Sequence, residues 1–151
     1  MTTARKYSTR RNALVTSIVD LLKTIDGSGE FVSNVNGNVF GTLKFFDEVK
    51  DFPAICVTAS NETREYQTGG YRDRFLDIRI MIFIKEEEPL TACEAVLEDI
   101  ESLLEGVGKL TYTDKRGAIQ NIHDILILSL STDEGTLDPI SIGEMNIRVH
   151  Y

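Results

Sequence analysis

The clearest pattern in the chain is the alternation of apolar and polar positions between Leu76 and Lys85. Successive side chains of a strand point to opposite faces, so the aliphatic residues at even-numbered positions share one face. That face is expected to pack against helices. The other face begins with Asp77 and Arg79 and becomes apolar at Met81 and Phe83, so a cover is expected at that end too.

Two segments have the apolar spacing of helices. The first is predicted from Ser8 or Thr9, as the N-terminal cap, to about Ile25. The second is predicted over residues 90–105, with Gly106 and Gly108 at its end. Between the helices, residues 30–41 suggest a loose hairpin or loop, and residues 43–49 a single helical turn with its aromatics packed inward.

Three further segments alternate as strands do. Residues 54–59 form the first, directly after a proline. Residues 122–131 alternate leucine with isoleucine, which predicts a strand covered on both faces for part of its length. Residues 140–151 change their apolar register at Gly143, which predicts a β-bulge there.

The order of these elements predicts an α+β fold. The strands follow one another with a single helix in the middle, which favours a mainly antiparallel mixed sheet with two helices on one face. A chain of 151 residues suits a single domain spanning residues 1–151. A hairpin or loop is expected to protrude from it.

The composition is that of a globular protein with an uneven charge. The net charge is −8, which argues against binding duplex DNA through many phosphate contacts. Residues 86–105 hold eight acidic residues and no basic one, whereas residues 1–24 are basic through Arg5, Lys6, Arg10, Arg11 and Lys23, against Asp20 alone. These clusters are either solvated faces or two patches that meet across a subunit contact.

No feature directs the chain to a membrane or an oxidising compartment. No apolar run approaches the roughly 18 residues that a membrane span needs, and no apolar signal region follows the basic N-terminal residues. The chain is therefore expected in the cytoplasm, with Cys56 and Cys93 as buried free thiols rather than a disulfide or part of a zinc site.

The sequence offers little chemistry. It has no phosphate-binding glycine loop and no nucleophile elbow. His123 and His150 lie in strand-like surroundings, and Glu94, Glu98 and Glu101 share a helix face without a histidine partner. No catalytic residue, metal or cofactor is expected.

A polar segment, residues 61–74, is the candidate interaction site. It is hinged at Gly69-Gly70 and could form a long hairpin arm. Arginine and tyrosine often anchor protein contacts, although the segment could also be an ordinary exposed hairpin or stack on bases. The candidate contact residues are Glu62, Arg64, Glu65, Tyr66, Tyr71, Arg72, Asp73 and Arg74.

Residues 51–105 carry a family resemblance. The segment DFPAICVTASNETREYQ, the strand GGYRDRFLDIRIMIFIKEE and the acidic helix PLTACEAVLEDIESLLE resemble the tail terminator, or tail completion, proteins of long-tailed bacteriophages. The helix near the N-terminus and the last strand are compatible in position. The alternatives are another head–tail connector or neck protein, such as a head-completion protein, and a small enzymatic or ligand-binding domain.

The resemblance implies a structural role in the virion, with assembly in the host cytoplasm. Proteins of this family form a hexameric ring on the head-proximal end of the tail tube, stop its polymerisation and offer a surface to neck or head-completion proteins. DNA passes through the channel without sequence-specific binding, and an acidic lining would repel it. The implied partners are other copies of the chain, the tail tube protein and the neck proteins, and no membrane.

Overall fold

The structure, a computed structural model that describes residues 9–106 and 110–151, contains two helices and seven strands within those ranges. In chain order they are α1 (Arg10–Leu22), β1 (Val39–Phe40), β2 (Ala54–Tyr66), β3 (Arg72–Lys85), α2 (Pro89–Gly106), β4 (Thr111–Thr113), β5 (Ile119–Asn121), β6 (Asp124–Thr132) and β7 (Ile140–His150). A short 3₁₀ helix, Phe46–Glu48, precedes β2.

Five of the strands form one sheet in the order β1-β2-β3-β7-β6. Its β1–β2 pair is parallel and its other pairs are antiparallel. Strands β4 and β5 form a separate two-stranded sheet. The predicted α+β fold with a mainly antiparallel mixed sheet is therefore confirmed.

Helix α1 begins where its cap predicts and ends earlier than its apolar spacing predicts. The Thr9 hydroxyl accepts a hydrogen bond from the Asn12 N–H at 3.1 Å, which satisfies one free donor of the first turn. Ser8, the other predicted cap, lies outside the described residues. The helix ends at Leu22, with Lys23 as its C-cap. Ile25 is still fully buried, so its spacing reflects burial after the helix has ended.

The aliphatic face of β3 is the centre of the core. Leu76, Ile80 and Ile82 are fully buried, and the other aliphatic residues of that face are at most 2% exposed. They share one cluster with Leu14 and Ile18 of α1 and with apolar residues of α2. Both helices therefore cover the same face of the sheet, as predicted. Each fully buried aliphatic side chain contributes about 1.5–3 kcal/mol.

The opposite face is covered at one end by aromatic residues. Phe83 and Cys56 lie under Phe46 and Phe52, and the Phe46 and Phe83 rings meet edge to face at 5.9 Å between centroids. This confirms the cover expected above Met81 and Phe83. The prediction of inward aromatics in the helical turn is wrong for Phe45, which is 70% exposed, because adjacent side chains of a 3₁₀ turn point in different directions.

The bulge predicted at Gly143 is absent. The pairing of β3 with β7 is continuous through the Ile82–Gly143 pair. The apolar residues on either side of Gly143 belong to two different faces, because Ile142 packs on the aromatic cluster and Met145 in the main core. Glycine at this position makes room for α2: an added Cβ would lie 2.6 Å from the Cys93 Sγ.

Strand β6 is less covered than predicted. It forms an edge of the sheet, with β7 as its only neighbour among the described residues. Its register shifts between Ile127 and Ser129. Leu126, Leu128 and Leu130 are 45%, 47% and 44% exposed, so the prediction of cover on both faces is wrong for these residues. An edge position explains the error, because a strand there has one flank open to solvent.

The remaining segments agree with the sequence. Residues 30–38 form a loop with a turn at Asn36 and Gly37, which have φ angles of 52° and 68°, and the predicted loop then ends in β1. Both cysteines are free and buried, and burial raises the pKa of both thiols. Gly108, a predicted helix end, lies outside the described residues, and α2 extends to Gly106.

Candidate assembly surface

The polar segment 61–74, called the arm, consists of the end of β2, the start of β3 and the turn between them. Its strands pair antiparallel as far as Tyr66 opposite Arg72. The Gln67 N–H donates to the Tyr71 carbonyl at 2.8 Å, and Gly69 and Gly70 take φ angles of 88° and 83°, which glycine adopts without strain. That the arm protrudes from the rest of the protein stays a prediction.

The two faces of the arm carry opposite charges. Since Glu62 is paired with Leu76, the alternation of the strands assigns each residue to a face. The face on the helix side carries Glu62, Arg64, Tyr66, Arg72 and Arg74, and the outer face carries Thr63, Glu65, Asp73 and Phe75. One face is therefore mainly basic and the other acidic.

Like charges oppose each other across the arm. Arg64 is paired with Arg74, and Glu65 with Asp73. Directly opposed like charges destabilise a strand pair, although solvent and salt screen exposed groups. The charge pattern therefore does not stabilise the arm by itself. It leaves one face of the arm mainly basic and the other acidic.

The base of the arm is held on the helix side by Tyr151. Its hydroxyl donates to the Glu62 carboxylate, and its N–H donates to the Arg74 carbonyl at 3.0 Å. The Arg64 Nε donates to Glu62 at 2.8 Å. Partial burial raises the pKa of Glu62, but the hydrogen bonds from Tyr151 and Arg64 outweigh it and lower the pKa overall.

Two histidines support the outer face of the arm. His150 stacks on Phe75 with 4.6 Å between ring centroids, and His123 lies 4.7 Å from His150. The His150 Nε2 is 3.0 Å from an Asp73 oxygen. This hydrogen bond, with a second from Gln67, lowers the pKa of Asp73. No sequence pattern predicts this cluster, because its residues meet only through the pairing of β7 with β3 and β6.

The two tyrosines of the arm are highly exposed. Tyr66 and Tyr71 are 71% and 74% exposed, and Arg72 beside them is also exposed. Tyrosine and arginine are enriched among the residues that dominate binding energy. The structure thus brings all eight predicted contact residues onto one hairpin, and their role in a contact stays a prediction.

Potential metal ligands do not cluster in the described part of the chain. Residues 9–106 and 110–151 hold no group of three or more potential metal ligands. A cavity of about 580 Å³ lies between the loop at 28–32 and α2. Its buried carboxylate, Asp99, already accepts hydrogen bonds from the backbone N–H groups of Val32 and Ser33, at 3.1 and 2.7 Å. No helix in the described part of the chain is long and apolar enough to cross a membrane.

Comparisons with known proteins identify the family. A family model described as "Bacteriophage Tail Tube Terminator Protein" matches residues 8–151. The chain belongs to this family. The tail tube terminator protein p142 of Escherichia phage T5 is 32% identical over 149 residues, which cover 93% of this chain and 92% of that protein. The predicted resemblance to tail terminators is therefore confirmed.

A solved structure has the same fold. A chain from the virion of a native gene transfer agent particle superposes with a TM-score of 0.59 at 12% identity, over 95% of this chain and 98% of that chain. At this identity the likeness concerns the fold alone. As a tail terminator the protein is a structural component of the virion tail and not an enzyme, as the sequence predicted.

Proposed function

We propose that this terminator acts as a single-domain subunit of a hexameric ring on the head-proximal end of the tail tube. The ring stops addition of tube subunits, offers its other side to neck or head-completion proteins, and leaves a channel for DNA without sequence-specific contacts. The family supports a role at the end of the tube. The observation that carries the proposed mode of contact is the arm.

The arm is suited to hold a partner rather than to stabilise its own subunit. Its two tyrosines, Arg64 and Arg72 are exposed, and its base is held by Tyr151 and His150. A rigid base lowers the conformational entropy lost on binding. Its opposed like charges are relieved when the partner supplies opposite charges to each face. In this arrangement the arm contacts the tail tube protein or the adjacent subunit.

Capping of tail tubes in vitro tests the proposal. Purified tail tube protein is polymerised with and without the terminator, and tube length and end density are measured by electron microscopy. The wild-type protein is expected to give shorter tubes with a ring at one end. The Tyr66→Ser/Arg72→Ala variant is expected to need at least about tenfold more protein for the same effect, equivalent to about 1.4 kcal/mol of binding.

The matched control is Val32→Ser, because Val32 is 74% exposed but lies in the loop beside α2. It should cap tubes like the wild type. Thermal melting of each variant shows whether it is folded. Unchanged capping by the arm variant would show that the arm does not make the contact. Uncapped tubes with wild-type protein would contradict the function itself.

A further inference from the structure

The sheet has an open edge on each side. In the described part of the chain no strand pairs with the outer edge of β6. On the other side β1 pairs with β2 only at Ile55 and Cys56, so the stretch from Thr58 to Tyr66 has no strand on its outer edge within the same residues. Open edges carry unpaired backbone donors and acceptors and are templates for pairing with another chain.

The β6 edge lacks the usual protection against such pairing. Asp124 is its only charged residue, and Leu126, Leu128 and Leu130 are each close to half exposed. Edge strands of monomeric proteins commonly carry lysine or other charged residues, or proline, instead. The leucines lie on both faces of the strand, since Leu126 is paired with Arg148 and Leu130 with the buried Met145. Exposed apolar residues on an unpaired edge mark a surface that can bind another chain.

Opposite charges lie above the two edges. Helix α2 contacts β6 and β7, and Glu94, Glu98 and Glu101 line a shallow cavity with Leu130 of β6. Helix α1 contacts β1 and β2 instead, and it carries Arg10 and Arg11, followed by Lys23 at its C-cap. The acidic flank is thus next to the β6 edge, and on the basic side the Arg11 guanidinium donates to the Ser60 carbonyl of β2.

We propose that β6 and the acidic flank of α2 bind the β2 edge and the basic flank of α1 of a second copy of this chain. This contact rests on the proposed ring and identifies the surfaces that build it. Two different surfaces joined head to tail close into a ring if the rotation permits. A contact between two β6 edges would instead bring two acidic flanks together, and charge repulsion disfavours it.

The topology also gives the direction of the pairing. Three antiparallel pairs separate β2 from β6, so these two strands run in opposite directions within a subunit. Rotation about a ring axis that lies along the strands preserves their direction. With the ring axis along the strands, the β6 strand of one copy meets the β2 strand of the next as an antiparallel pair, and the sheets continue from subunit to subunit.

Two charge-reversed variants test the contact. The acid-flank variant is Glu94→Lys/Glu98→Lys, and the base-flank variant is Arg10→Glu/Lys23→Glu. Each alone places like charges on both sides of every contact, so the dissociation constant for self-association is expected to rise at least about tenfold. Mixed in equal amounts, the two variants have complementary flanks at every contact and should form alternating rings.

Assembly is measured by analytical ultracentrifugation and by electron microscopy, for free protein and for protein on tail tubes. The control, Lys115→Glu/Arg116→Glu, reverses two basic charges in the β4–β5 turn and should assemble like the wild type. Circular dichroism establishes that each variant is folded. Normal assembly by either flank variant alone, or a mixture that does not assemble, overturns the proposed contact.

A second variant tests the leucines separately. Leu128→Lys places a charge in the edge and should weaken assembly by a similar factor without lowering thermal stability, because Leu128 is 47% exposed. If the wild type forms rings and the variants assemble equally well, the result contradicts this contact but not the ring. Failure of the wild type to form rings, both free and on tubes, contradicts the ring itself.

Discussion

Replacing Gly143 by alanine tests how closely α2 packs on the sheet. The new Cβ would lie 2.6 Å from the Cys93 Sγ, 3.6 Å from the Leu97 Cδ1 and 3.7 Å from the Ile82 Cβ. Non-bonded heavy atoms prefer about 3.5–4.0 Å, so Cys93 or the helix must move by roughly 1 Å. Such overpacking destabilises a core by about 1–3 kcal/mol.

Two smaller effects decide the net loss of stability in Gly143→Ala. Gly143 has no left-handed φ angle, so alanine introduces no backbone strain there. Alanine also restricts the unfolded chain, which offsets about 0.4–1 kcal/mol. The expected net loss is therefore about 1–2 kcal/mol, which lowers the melting temperature of a protein of this size by about 2–8 °C.

A double-mutant cycle isolates the contact. Cys93→Ala removes the Sγ that alanine would strike, so Gly143→Ala should be less harmful by about 1–2 kcal/mol in that background. The control is Gly106→Ala at the end of α2, where nothing lies within 4 Å of an added Cβ. Thermal melting of the four proteins and the control gives the values. An equal loss in both backgrounds would refute the steric explanation.

Three further predictions concern polar groups. Asp99→Ala should lower the free energy of unfolding by about 2–3 kcal/mol in urea titrations, because two backbone N–H groups lose their acceptor. Tyr151→Phe should cost about 1 kcal/mol and speed amide hydrogen exchange in the arm, because Glu62 loses a hydrogen bond. The pKa of Asp73 and of Glu62 is lowered on folding, so their stabilisation is present above about pH 4 and disappears as the pH falls below it. The urea midpoint should therefore drop on acidification, and less so in Asp73→Asn.

Each of these measurements has a neighbouring control. Glu98→Gln changes the exposed residue next to Asp99 and should leave stability unchanged. Tyr71→Phe removes the hydroxyl of a tyrosine that is 74% exposed and should leave exchange at the base of the arm unchanged. In Glu105→Gln the urea midpoint should drop on acidification by as much as in the wild type. A wild-type result for Asp99→Ala or Tyr151→Phe would mean that these hydrogen bonds add no net stability.

The sequence predicts elements whose burial is set locally. The alternation of β3 identifies both its aliphatic face and the covered end of the other face, because each residue contacts a layer directly above it. Strand β6 has the same kind of alternation but lies at an edge, and a one-dimensional pattern does not contain the strand order. The predicted bulge at Gly143 was wrong for a related reason, since the apolar residues around Gly143 belong to two clusters on opposite faces.

The candidate surface was predictable only in part. The charges, tyrosines and Gly-Gly turn of the arm are adjacent in sequence, so its residues can be named without a structure. The groups that support it, Tyr151 and His150, are distant in sequence and reach Glu62 and Asp73 only through strand pairing. The acidic and basic flanks were visible as composition, but their positions above opposite edges depend on which strands each helix contacts.

The position of β7 also affects when the protein becomes able to assemble. This strand follows the other strands in the chain but pairs between β3 and β6, which joins residues from distant parts of the sequence. Such non-local pairing slows folding. Until β7 is in place, the β6 edge has no fixed position relative to the β2 edge, and neither Tyr151 nor His150 supports the arm. A contact made through these two edges and the arm, as proposed above, therefore requires β7 to be in place first.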